Sequence, residues 1–560
     1  VSVLPVAEWR PDMPALANAT EIASNVVPRT SESYGPFSDL ASYTSNALNN
    51  TCLGLVAVQA TDLSIVVFAG TADKLYDVTS LTATWNDVSG ATYNTAEGDN
   101  WHFALFANAL IATNFADPLQ SFELGVSSTF GNLFTASAWQ QSHAYGSLGA
   151  YVLANGNRYV LTQTGTSASS GTGPSGTGFG ITDGTCVWDY QSSPPPQARF
   201  VCTPKNFVMV ANTLDGAGGL GPARAWWSAN GDATSWPAPG TAQAQAAMSD
   251  YNDFRGNLGE ITGLVDSLAN ADVAIFFRHA VWRGQFVGPP DVFDFFPAEN
   301  VRGCPCPNGI VALGSLVYYP AEDGFYVFDG AVSTPIGTDK FDKWFWTNVN
   351  QGFLGSVIGA ADVINKAIIW IFPSLASSSG IPDTALVWRW DIQRASMASI
   401  NAQWVARLLS FGVSLDGFSS LGFTDLDTLP YSLDARVWIG GALQLGAVDR
   451  NKKLAFFNGN NLAAQVGLQT VQFIPGRRAY VQSARPLIEL SAGTPTIAFA
   501  GQTNLYDPIV YGAATAPDAS GECPQRSDAR YHTAALSMPA AAVWTHISGA
   551  DVTFTSAGLR

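Results

Sequence analysis

The sequence predicts an all-β fold, a β-propeller of six or seven blades with a small inserted β module and a C-terminal β segment or sandwich. Three observations lead there. Aromatic side chains are abundant, with 17 Trp, 17 Tyr and 32 Phe in 560 residues, and flat rings pack well on a pleated, half-buried surface. Glycine and proline are frequent, 53 and 31 residues, while only 13% of the chain is charged, a composition that disfavours both disorder and charge-laced helices. Finally, a unit of apolar strand, polar turn and second strand recurs at irregular intervals of roughly 40 to 60 residues, the range of propeller blades.

The first unit is Ser64-Ile-Val-Val-Phe-Ala-Gly70 with Lys74-Leu-Tyr76 and Trp85, and the second is Trp101-His-Phe-Ala-Leu-Phe-Ala-Asn108 with Leu110-Ile-Ala112. The third pairs Asn206-Phe-Val-Met-Val-Ala211 with Arg224-Ala-Trp-Trp-Ser228 and Trp236, and the fourth Asp272-Val-Ala-Ile-Phe-Phe277 with Val281-Trp-Arg283. In the fifth, Ser315-Leu-Val-Tyr-Tyr319 meets Phe325-Tyr-Val-Phe328 across Glu322-Asp-Gly324; Asp-Gly between two apolar runs is a strong hairpin signal. The sixth joins Ala367-Ile-Ile-Trp-Ile-Phe372 to Ala385-Leu-Val-Trp-Arg-Trp390. The last runs through Ala435-Arg-Val-Trp-Ile439 and Lys453-Leu-Ala-Phe-Phe457 to a turn at Asn458-Gly459. Such a ring leaves only short edges.

These units place the propeller at 51–137 and 193–470, preceded by an N-terminal assembly segment, 1–50. Residues 138–192 break the rhythm with their own aromatics and a small-residue loop, Gly165 to Gly180, and read as an inserted β module that splits a blade. From 471 to 560 short alternating strands resume, either closing the ring or forming a platform.

Net charge is −17, the wrong sign for gripping phosphates through Lys and Arg. Residues 471–560 hold six acids and six bases, so the whole deficit lies in 1–470, with 38 acids against 21 bases. No apolar run is long enough to span a bilayer, no basic-then-apolar leader is read, and six scattered cysteines fit reduced thiols better than a disulfide scaffold.

Chemical motifs are sparse. Gly171-Thr-Gly-Pro-Ser-Gly176 spells G-x-G-x-x-G, but Pro174 interrupts it and no amphipathic helix follows to receive a phosphate, so it reads as a flexible loop. The five histidines lack ligand spacing and Cys304-Pro-Cys306 lacks a second pair, which leaves no metal or cofactor to assign. Ser228-Ala-Asn-Gly-Asp232 with Trp236 echoes the Asp-box turn of sialidase-like propellers with its order disturbed. The acid pairs Asp291 with Asp294 and Asp323 with Asp329 read as solvated loops before they read as glycosidase carboxylates. No nucleophile sits in a recognisable context, so no enzyme is expected. In the insert, Trp139, Tyr145, Tyr159 and Trp188 are candidates for stacking on sugars, with packing inside a small module as the competing reading.

Several of these segments together resemble the tail nozzle or hub proteins of short-tailed bacteriophages. They are Trp9-Arg-Pro-Asp12, Asn25-Val-Val-Pro28, Phe68-Ala-Gly-Thr71 with Lys74-Leu-Tyr76, Pro195-Pro-Gln-Ala-Arg199, and Trp227-Ser228 with Trp236. At the C-terminus, Arg526-Ser-Asp-Ala-Arg-Tyr-His532, Trp544-Thr-His546, Gly549-Ala-Asp551 and Ala557-Gly558 with Arg560 complete the pattern. The insert is similar to small carbohydrate-binding-like modules of phage tail and fibre proteins. The resemblance implies a homo-hexameric ring beneath the portal and head-to-tail adaptor proteins. That ring lines the DNA exit channel and anchors tail fibres or spikes, without catalysis or membrane insertion. It implies a protein made in the host cytoplasm and resident in the virion tail. Phage DNA would pass without specific binding, which an acidic wall favours. Tyr531, His532 and Trp544 are candidate interface anchors, with core positions the alternative. A second class also fits the residues: a glycan-binding propeller or sialidase-like hydrolase acting on host-surface sugars.

Overall fold

An apolar run without alternation marks a strand covered on both faces. Val273–Phe277 and Ala367–Phe372 are buried at every residue, because each is the second strand of a four-stranded antiparallel unit held between neighbouring units. In the computed structural model, which describes residues 2–14, 16–60, 62–79, 83–215, 219–411 and 441–558, there are seven such units, and they are the blades of a propeller.

Blade 1 comprises Gly54–Gln59, Ile65–Gly70, Leu75–Thr79 and Asn86–Asp87. Blade 2 spans His102–Phe106 to Gly131–Asn132, blade 3 Gln197–Cys202 to Asp250–Asp253, and blade 4 Ile261–Asp266 to Val292–Glu299. Blade 5 runs from Val311–Leu313 to Ser333–Pro335 and blade 6 from Ile358–Asp362 to Arg394–Ser399. Each of the seven sequence units falls in its own blade, except that Ala435–Ile439 lies outside the described residues.

Blade 7 shows how the ring closes. Its strands Ala402–Leu409, Leu443–Asp449 and Leu454–Phe456 take their fourth partner, Ala41–Ser42, from the start of the chain. The sequence reading offers 471–560 for this role; the structure gives it to the N-terminal segment. After Phe456 the chain leaves the blade, and residues 41–42 run antiparallel along the vacated edge with Tyr43 N–H donating to the Leu454 carbonyl at 2.6 Å. An edge strand left unpaired would be a template for aggregation.

Buried clusters fill every seam. Phe68, Trp101 and Phe122 join blades 1 and 2, and Ile111, Val210 and Trp236 join 2 and 3. Met209, Ile275 and Phe293 join 3 and 4, Phe276, Tyr319 and Trp370 run through 4, 5 and 6, and Ile369, Val405 and Val67 link 6, 7 and 1. The contacts return to their start, so the ring is shut around a central channel of about 650 Å³ lined by the first strand of every blade.

Two additions decorate the ring. The outermost strand of blade 6 continues through Ala23–Ser24 into Ala464–Gly467, Tyr531–Met538 and Thr496–Gln502. A second sheet, ordered Cys523–Ala529, Ala479–Ala492, Val543–Ser556, Ser33–Pro36 and Val26–Thr30, shares with it the buried core of Leu4, Val481, Phe499, Leu536 and Ile547. The two chain ends thus build one β unit on blade 6. The insert lies between the last strand of blade 2 and the first of blade 3. It therefore follows a completed blade and splits none. Three blades separate it from blade 6 in either direction round the ring, so the two additions stand at opposite ends of a diameter.

Candidate functional site

The module is a five-stranded sheet ordered Ser137–Ala138, Tyr151–Ala154, Asn157–Gln163, Cys186–Ser192 and Ile181–Asp183. Alternation along Cys186–Ser192 sends Cys186, Trp188, Tyr190 and Ser192 to the covered face. Tyr159 and Trp188 are fully buried, so both sequence candidates are core residues and no sugar reaches their rings. A sheet this small fills its single covered face with its largest side chains.

Trp139 and Tyr145 stand at the margin of the same core, half-buried. Asp183 organises them: its Oδ2 accepts from the Trp139 indole at 2.7 Å and from the Trp188 indole at 3.2 Å, while Oδ1 accepts from Ala168 N–H at 3.0 Å. Tyr145 sits edge-on to Trp188 at 5.0 Å. The glycine-rich loop is packed here, not free. Gly173, at φ +87°, lies so close to the Trp139 ring that a Cβ would collide with it. Asn155 Nδ2 donates to the Pro174 carbonyl at 2.8 Å and the Tyr159 hydroxyl to that of Gly176 at 2.9 Å. Gly173 serves close backbone approach to an indole. The module's exposed large side chains are Leu148, Tyr151 and Phe179; Tyr151 opens the strand Tyr151–Ala154, and aromatic content alone does not tell an exposed ring from a covered one.

The module is tied to blade 3. Arg158, buried to 6% exposure, donates through Nη2 to the Thr234 carbonyl at 3.0 Å and through Nε to Gln191. Ser192 Oγ accepts from Trp236 N–H at 2.6 Å, and the Tyr190 hydroxyl from Ala238 N–H at 2.7 Å. Asp232 shapes the turn that presents Thr234, accepting from its N–H at 2.8 Å and its hydroxyl at 2.7 Å. The Asp-box echo is thus a docking turn above a fully buried Trp236.

In the pair Asp323 and Asp329 the two carboxylates are separately engaged. Asp323 pairs with Arg302 at 3.0 Å and accepts from the Tyr326 hydroxyl at 2.9 Å; Asp329 accepts from Ala331 and Val332 N–H, which lowers its carboxyl below the ordinary range. All six cysteines are buried and unpaired, and burial raises the Cys304 thiol to about 12. Among the described residues, no group of three or more His, Cys, Asp or Glu could hold a metal, and no helix is long and apolar enough to cross a membrane.

Of the three C-terminal candidates, two are core. His532 is fully buried, with Nε2 3.1 Å from the Ala479 and Ala529 carbonyls and Nδ1 3.2 Å from Ser527 Oγ. Trp544 is 3% exposed. Only Tyr531 keeps a surface, with Arg530 over its ring at 5.5 Å. In the channel, His102 meets Phe200 edge-on at 4.7 Å, and desolvation there lowers its imidazole to about 4.

No family model and no curated protein matches the chain. Among solved structures it is similar to Hsv2 of Kluyveromyces lactis, at 9% identity over 63% of this chain and 98% of that one, with a TM-score of 0.26. It is also similar to YCF48 bound to D1 peptide, at 10% identity over 63% and 92% with a TM-score of 0.24. For YCF48 from Cyanidioschyzon merolae the figures are 8%, 52%, 87% and 0.24. At such distances the propeller assignment rests on the seven blades and their closed seams.

Proposed function

We infer that the chain is a structural subunit of a short-tailed phage tail, a nozzle or hub whose six copies ring a DNA exit channel below the portal and adaptor and carry fibres or spikes. The observation that carries this reading is the meeting of the two chain ends. Segments that resemble the nozzle family are tied to distant parts of the chain: His546 Nδ1 stands 3.0 Å from Ser33 Oγ, Asn25 Nδ2 donates to the Ala463 carbonyl at 2.7 Å, and Ala550 pairs with Leu4. Residues that would be unrelated loops in a bare propeller form one β unit on blade 6, fit to carry assembly contacts. The module at the opposite end of the diameter is then free to face outward and hold an attachment protein. Catalysis has no part in this reading, and the acidic surface suits a wall that DNA slides past.

The test is a mass measurement of the purified chain, alone and with its virion neighbours, followed by imaging of any ring. Six copies around a channel support the proposal. A monomer under both conditions, or glycan turnover lost on Asp232→Ala, rejects it.

A further inference from the structure

Blade 4 ends on a long strand with an open edge. Val292–Glu299 has eight residues and a partner on one side alone, Val281–Gly288. Among the described residues the outer strands of blades 1, 2, 3, 5 and 7 have two to four residues, and that of blade 6 is paired with Ala23–Ser24. A strand with one neighbour leaves a row of backbone N–H and C=O groups unpaired, a template for another chain. Pro297 blunts the last part of this row, having no N–H to offer. The stretch from Val292 to Phe296 stays open.

The two faces of this strand differ. On one, Phe293 packs edge-on against Phe207 and Trp227 of blade 3, each at 5.3 Å, with Phe295 beside it. On the other, Asp294 stands opposite Gln285 and Phe296 opposite Arg283, whose guanidinium lies 5.9 Å from the Phe296 ring. Blade 5 ends on the short strand Ser333–Pro335, and a groove of about 650 Å³ lies between it and blade 4, lined by Leu268, Asn270, Gln285, Phe286 and Val287. Phe286, Val287 and Phe296 are exposed. Asp291 precedes the strand and Asp294 lies within it, so this acid pair belongs to the open edge. Neither carboxylate has a hydrogen-bond or ion-pair partner among the described residues.

We propose that the outer strand of blade 4 is a docking site for an extended segment of a partner protein, which adds to the blade as a fifth, antiparallel strand and carries Lys or Arg opposite Asp294 between apolar residues. Backbone bonds along the open edge supply affinity, and the side chains supply choice. A basic residue opposite Asp294 pairs an otherwise unmatched carboxylate, and an apolar residue two positions away covers the exposed Phe296 ring. On the other face the intervening residues of the segment extend the apolar surface of Phe293 and Phe295. A second copy of the same strand fits less well, because antiparallel pairing centred on Asp294 sets two carboxylates face to face. The site is separate from the joined chain ends and from the inserted module, and it holds whether or not the chain forms a ring of six.

Two capped peptides test this on the full chain, Thr-Val-Val-Lys-Val-Thr and the same sequence with Glu in place of Lys. Hydrogen exchange of the segment 292–299 reads occupancy of the edge. The lysine peptide is expected to slow exchange there, and the glutamate peptide to need a roughly tenfold higher concentration for the same effect at low salt. Asp294→Lys is expected to reverse that order. Absence of protection by either peptide at millimolar concentration, equal action of the two, or protection confined to other blades overturns the proposal. Slow exchange of 292–299 without peptide that deepens with chain concentration gives the edge to a second copy and overturns it too. Should Asp294→Lys not fold, Asp294→Asn decides: loss of the preference for lysine supports the proposal, and its persistence refutes it.

Discussion

The guanidinium of Arg394 lies 4.7 Å above the ring of Tyr34, and its Nη2 donates to the Tyr34 hydroxyl at 3.2 Å. Both side chains are buried. The same hydroxyl accepts from Trp9 N–H at 2.9 Å, and Arg394 also donates to the carbonyls of Ala7, Thr30 and Ser31. Blade 6 thus pins the N-terminal strands by offering a cation to backbone oxygens, which holds the second β unit in register with the propeller. Burial raises the Tyr34 phenol and Arg394 partly offsets it, so the hydroxyl stays protonated across the physiological range.

Removing either partner leaves buried polar groups unmatched. Tyr34→Phe is expected to cost about 1–3 kcal/mol, and Arg394→Met about 3 kcal/mol because several carbonyls lose their donor. Thermal unfolding of the two variants measures this. An unchanged midpoint for Arg394→Met would show that the contact is incidental to the joint.

Ring closure rests on two residues of strand. Tyr43→Pro removes the N–H that bonds the Leu454 carbonyl and is expected to destabilise by about 3 kcal/mol, with proteolytic cleavage appearing first within 443–456. Cleavage elsewhere first would mean that the closing strand is not the weak seam.

His102 gives the propeller an acid limit. Its imidazole is held near 4 in the channel against an ordinary 6.5, so the unfolded chain binds a proton that the folded chain refuses. Stability from this group is complete above about 6.5 and is lost as pH falls towards 4, by up to about 3 kcal/mol. Urea midpoints at pH 7.5 and 4.5 should converge in His102→Gln relative to wild type. Parallel pH profiles for the two chains would remove His102 as the cause.

Replacing 138–190 by a short Gly/Ser linker while keeping Ser192 is expected to leave the propeller folded. Seam residues such as Trp236 and Ile111 keep their own cluster, and Ser192 still receives Trp236 N–H. The loss should be confined to the Arg158 bonds to Thr234 and the Tyr190 hydroxyl that receives Ala238 N–H, about 1–3 kcal/mol for each group left unmatched. Circular dichroism and thermal melts report it. Failure to fold would make the module part of the blade 2 to blade 3 seam.

Much of the propeller could be read in the chain because a blade's second strand is buried on both faces, and runs such as Val273–Phe277 therefore lack polar alternation. The closing strand could not. Ala41–Ser42 carries no apolar signal, being an edge whose worth lies in its backbone bonds to Leu454–Phe456. The module's aromatics were visible as a group, but whether a ring faces inward depends on which strands cover it. Tyr159 and Trp188 fell inside, and Tyr151, unremarked by spacing, fell outside.

By itself, then, the sequence determined the all-β class, the repeat of apolar hairpins, the position of the insert and the sign of the charge, all of which follow from composition and local periodicity. Only the tertiary structure decided the partners of residues hundreds of positions apart: Arg394 with Tyr34, Asp12 with Trp344, Ser33 with His546, and the first strands with the last. Those contacts depend on how a closed ring brings its two ends together, and no local pattern of side chains encodes that distance.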